Sequence, residues 1–144
     1  MSQKKFYYTL LPILDHQGNK ITEVARPIIE IVINYKHGEM VGPLKALLDS
    51  GADNNLFPVV VGSALGINIS KGRKFSTFGI SGQEIIVFRH YGIKIFIDGS
   101  AIATYVDFSY DYGDIPILGQ QGFFDKVKSI KFVRPEEEFL IDLK

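Results

Sequence analysis

The chain has 144 residues, of which 16 are basic, 16 acidic and none cysteine. That length suits one domain able to bury a core without metal or disulfide support, and the missing cysteine excludes a disulfide framework, a thiolate zinc site and a cysteine nucleophile. The cancelled charge, with no long block of either sign, removes the electrostatic footprint of a nucleic-acid binder and disfavours an anionic membrane as partner.

Ile, Val, Phe and Tyr are plentiful and long runs of helix formers at helical spacing are absent, which predicts an all-β chain. "FYYTLLPIL" (Phe6 to Leu14) and "RPIIEIVINY" (Arg26 to Tyr35) read as strands, with the turn cluster "DHQGNK" (Asp15 to Lys20) between them. "KHGE" (Lys36 to Glu39) reads as a hairpin connection into "MVGPLKALLD". "PVVVGSALGI" (Pro58 to Ile67) predicts a short helix, proline suiting its first turn and Gly66 its end. "RKFSTF" (Arg73 to Phe78) and "QEIIVFRHYGIKIFIDG" (Gln83 to Gly99) flank "GISG" (Gly79 to Gly82), the pattern of a long hairpin with a glycine-flanked apolar tip. Asp98-Gly99 signals a second tight turn into "SAIATYVDFSY" (Ser100 to Tyr110). A short helix is expected around Gln121 to Val127, then a charged bend "RPEEE" and a last strand "EFLIDL" (Glu138 to Leu143).

Met1 to Lys20 has no sustained apolar core of a signal peptide, and no apolar run approaches the ~18 residues of a membrane span. A soluble cytoplasmic domain is expected. His16 and His37 fall in turn clusters and His90 in a strand. With no His-Glu cluster, no metal or other cofactor is expected. "GSALG" (Gly62 to Gly66) misplaces its serine for a nucleophile elbow, and neither GxGxxG nor a P-loop occurs.

"LLDSGAD" (Leu47 to Asp53) is where chemistry enters. An Asp-Ser-Gly tripeptide alone usually marks an Asx-type turn. Here it ends an apolar strand, so Asp49 is expected to be only partly solvated, a setting in which a carboxylate raises its pKa or finds a partner. With "FGISGQEIIVFRHYGIKIFIDG" and "DIPILGQQGFF" following in order, the three stretches resemble the active-site motif, flap hairpin and second signature of the retropepsin family of single-domain aspartic proteases.

The resemblance implies a closed acid-protease barrel with a flap hairpin and one or two short helices. It makes 1–144 one retropepsin-like domain, with 1–27 an N-terminal extension or strand and 28–144 the core. Asp49 matches the catalytic aspartate, and Ser50, Gly51 and Gly119 match supporting positions. Gly51, Ala52 and Asp53, with Gly79, Ile80, Ser81 and Gly82 of the flap tip, match substrate-binding positions. The second signature is expected to open the only substantial helix.

The chain carries one Asp-Ser-Gly, so the implied aspartate pair requires a homodimer hydrolysing a peptide or protein substrate, the two carboxylates titrating as a unit. Gln120 stands where the retroviral enzymes usually have arginine, which leaves Asp53 to pair otherwise, with Arg26, Arg73 or Arg89 as candidates. A catalytically silent peptide- or protein-binding module is the alternative.

Overall fold

In the computed structural model, which describes residues 3–78 and 82–143, the elements follow in this order: β1 (Gln3–Tyr7), β2 (Thr9–Leu14), β3 (Lys20–Arg26), β4 (Ile28–Tyr35), β5 (Val41–Leu48) and β6 (Leu56–Pro58). Helix α1 (Val59–Ala64) and a 3-10 turn (Ile69–Lys71) come next, then β7 (Arg73–Phe78), β8 (Glu84–Ile97), β9 (Ser100–Ser109) and β10 (Ile117–Leu118). A 3-10 turn (Phe124–Lys126), β11 (Ser129–Val133), a further 3-10 turn (Arg134–Glu136) and β12 (Glu138–Asp142) complete the chain.

Six strands close into a barrel in the order β4, β5, β10, β6, β9, β8, the ring completed by β8 pairing back onto β4 at Val32↔Phe96 through Tyr35↔Ile93. β7 hangs on β8 outside the ring. Two smaller sheets flank it: the β2–β3 hairpin, and a terminal sheet ordered β1, β12, β11. The barrel interior is rich in β-branched residues that suit a pleated surface, with Ile31, Ile33, Ile93, Ile95 and Ile97 among its fully buried side chains. Phe57, Phe108, Phe123 and Phe139 fill the remaining core at essentially zero exposure. Burial of each such side chain is worth about 1.5–3 kcal/mol.

The predicted turns behave as their residues dictate. Asp98 and Gly99, at φ 46° and 86°, join β8 to β9 in the left-handed conformation a two-residue hairpin demands. α1 forms after Pro58, and Gly66 at φ 78° follows its end. His90 is buried with Nε2 2.8 Å from the Ile69 carbonyl oxygen, a structural role.

Three expectations are corrected. The stretch Phe6 to Leu14 is two strands, because the chain leaves β12 at Tyr8, whose N–H reaches the Glu137 carbonyl at 2.8 Å, to pair with β3 instead. Arg26 to Tyr35 is likewise split at Pro27, which has no N–H to give a ladder. The late helix is a single 3-10 turn at Phe124–Lys126, so α1, not the second signature, supplies the one α-helix among the described residues. Gly122 at φ 100° diverts the chain there, and the Phe124 and Asp125 N–H groups bond to Gly119 and Gln120, five residues back, which is too wide for an α-helix.

Candidate active site

β5 and β10 run parallel, Leu47 beside Ile117 and Leu48 beside Leu118, and the loop from Asp49 to Asn55 leaves β5, passes under residues 119–121 and re-enters the barrel as β6. Asp49 stands at the exit. Its N–H donates to the Leu118 carbonyl at 3.0 Å, and its Oδ1 accepts the Gly51 N–H at 3.0 Å. The Ala52 N–H closes the turn on the Asp49 carbonyl at 3.1 Å. The tight turn and the held carboxylate are thus the same structure, and the side chain is partly exposed, as its sequence setting predicts.

Residues of the second signature bind the other side of this loop. The Gln120 N–H donates to the Ala52 carbonyl and the Gln121 N–H to the Asp53 carbonyl, both at 2.8 Å. Gln120 Nε2 donates to the Ser50 carbonyl at 2.8 Å, so this side chain braces the loop from Asp49 to Asn55 from within the same chain. Gly119 is fully enclosed: a Cβ there would run into the Asn54 carbonyl and crowd the Ala52 oxygen. Asp49, Ser50, Gly51, Ala52, Asp53 and Gly119 are therefore brought together. Gly82, at φ 80°, lies between β7 and β8, and Gly79, Ile80 and Ser81 lie outside the described residues.

None of the three arginines named as candidates pairs with Asp53 in this chain. Arg89 Nε and one terminal nitrogen fork into Asp107 at 2.7 and 3.0 Å. Arg73 lies over the Phe75 ring, and Arg26 lines a cleft of about 350 Å3 beside Asp49 and Ser50. The Asp53 side chain is exposed, which leaves it no need of a buried partner.

Sequence reasoning passed over three contributors. Asn55, with no exposed surface, uses Oδ1 to accept the Gly119 N–H at 3.1 Å and Nδ2 to donate to the Tyr105 carbonyl at 3.0 Å. The Tyr105 hydroxyl donates to Asn54 Oδ1 at 2.7 Å. Tyr112, half-buried, donates to the Ile115 carbonyl at 2.6 Å, and its hydroxyl pKa is pushed up to about 12 by burial first, then by the charges of Asp114 and Asp49. The signal available in the sequence was Asn55 set directly before the apolar run "LFPVVV", since buried amides survive only when bonded.

Among the described residues no group of His, Asp and Glu is arranged to hold a metal, and no helix is long and apolar enough to cross a membrane. Solved structures supply the likeness. The EIAV protease complexed with the inhibitor HBY-793 aligns over 66% of this chain and 82% of its own at 26% identity, with a TM-score of 0.50. A retropepsin-like aspartic protease from Rickettsia conorii aligns over 97% of this chain and 98% of its own at 13% identity, with a TM-score of 0.63. No family profile and no curated protein sequence matches the chain. The fold is that of the retropepsin-like aspartic proteases.

Proposed function

We propose that the chain is an aspartic endopeptidase whose active form is a homodimer, with Asp49 of each subunit meeting across the twofold axis. The observation that carries this reading is the setting of Asp49: a partly exposed carboxylate at the end of a barrel strand, oriented by the Gly51 N–H, on a retropepsin-like fold. One ionised Asp49 takes a proton from water as the oxygen attacks the scissile carbonyl carbon. The other, protonated, gives its proton to the carbonyl oxygen. Collapse of the resulting diol breaks the C–N bond as the amine nitrogen takes up a proton. Ser50, Gly51 and Gly119 maintain the loop, while Ala52, Asp53 and residues 79–82 contact the extended peptide.

A peptide-library digestion run across pH beside Asp49→Asn tests this. Cleavage that peaks between an acidic and an alkaline limb is expected, because one carboxyl must be ionised and the other protonated. Loss of at least 10²-fold in the variant, with its circular dichroism unchanged, is the matching outcome. Equal turnover in Asp49→Asn would sink the assignment. The alternative of a silent binding module is favoured by one feature, that among the described residues no ion pair engages Asp53; carboxylates too far apart in the dimer to share a proton would establish it.

A further inference from the structure

A cleft at the root of the β7–β8 hairpin differs in charge from the chain as a whole. Its volume is about 520 Å3, and Lys36, Lys71, Arg73 and Arg89 line it with Asn68 and Tyr91, while no carboxylate does. The whole chain balances 16 bases with 16 acids, so this is a local separation of charge. Among the described residues no ion pair engages Lys36, Lys71 or Arg73. Arg89 is held rigidly, forked into Asp107 with its guanidinium 4.6 Å from the Phe75 ring centre and 4.4 Å from that of Tyr105.

Two irregularities of the backbone shape the cleft. β8 bulges between His90 and Ile93, with Gly92 at φ 78° and its carbonyl accepting the Lys36 N–H at 2.9 Å. Opposite, the β4–β5 turn holds Lys36 and His37 at φ 47° and 62°, where glycine or asparagine sits more easily. The turn, closed by the Gly38 N–H on the Tyr35 carbonyl at 2.8 Å, keeps Lys36 on the rim of a cleft lined by no carboxylate.

We propose that this cleft binds an acidic peptide segment, such as a run of glutamate or aspartate in a protein that the chain engages. The cations come from four elements: Lys36 from the β4–β5 turn, Lys71 from the 3-10 turn, Arg73 from the start of β7 and Arg89 from β8. A cleft of this size exceeds what one phosphate group fills and suits several carboxylates spaced along an extended backbone, drawn in by the local field. The cleft shares no lining residue with the one beside Asp49, and the proposal stands whether or not the chain cleaves peptides.

Fluorescence anisotropy of a labelled peptide of alternating glutamate and glycine, titrated with the full chain carrying Asp49→Asn, reads this out. Saturable one-to-one binding is expected, weakening as salt rises. Lys36→Glu with Lys71→Glu should weaken it at least tenfold, and Arg73→Glu alone severalfold, with circular dichroism unchanged. Lys128→Glu with Lys131→Glu, away from the cleft, should leave it intact. Absence of saturable binding, equal loss in the Lys128 and Lys131 control, or tighter binding of pyrophosphate than of the peptide would each overturn the proposal. Because Asp49 is already replaced, failure here is distinguishable from failure of the peptidase reading, which rests on cleavage alone.

Discussion

At the scale of single residues, the site depends on side chains that tie its two loops together. Asn55→Ala would leave the buried Gly119 N–H without its side-chain partner and take from the Tyr105 carbonyl its 3.0 Å bond, a cost of about 1–3 kcal/mol for a buried group left unsatisfied. A lower urea midpoint with an unchanged slope is the expected result. Tyr112 adds a pH dependence: its hydroxyl is raised from the ordinary value of 10.0 to about 12. As pH climbs the unfolded chain loses this proton first, so the stabilisation is whole below the lower value and lost between the two. Tyr112→Phe should flatten the alkaline fall in melting temperature over that window. The turn at Asp49 and the enclosed Gly119 were legible in the sequence, the first because Asp-Ser-Gly ends an apolar strand and the second through the resemblance of "DIPILGQQGFF" to a family signature. Asn55 and Tyr112 were not, because their partners at Gly119, Tyr105 and Ile115 are set by how β6, β9 and β10 meet.

At the scale of elements, β8 has two regimes. Residues Ile93 to Phe96 are paired on both sides, with β4 and β9, whereas Glu84 to Val87 pair with β7 alone. The Arg89–Asp107 fork sits where the outer arm joins the barrel. Asp107→Ala would strand a largely buried guanidinium and should cost about 3 kcal/mol, while Arg89→Met with Asp107→Leu should recover most of it; denaturant unfolding of the three proteins checks this. Hairpins with two-residue turns were readable because Asp98-Gly99 fixes its own backbone. β11 was missed: "SIKFV" alternates, but only one of its residues reaches even partial apolar cover before Val133, and its pairing with β12 is the real determinant. The late helix failed for the converse reason, since Gly122 packs against Asn55 and Thr104 and its conformation overrides the local pattern.

At the scale of the whole molecule, the terminal sheet is built from strands of a single chain. β1 and β11 both pair with β12 of their own chain, Gln3 beside Asp142 and Ile130 beside Ile141, and Phe139 is buried against Phe6, Tyr8 and Phe132. Phe139→Ala should cost about 3–5 kcal/mol and lower the melting temperature. In the homodimer proposed above, separation of the subunits would leave these three strands paired with one another. Dilution of an active dimer should abolish cleavage while circular dichroism stays constant. Each subunit would then be a durable but inactive reserve, and the quantity of the chain itself would act as the switch: doubling a scarce supply would raise output about fourfold, the square law of two-body encounter.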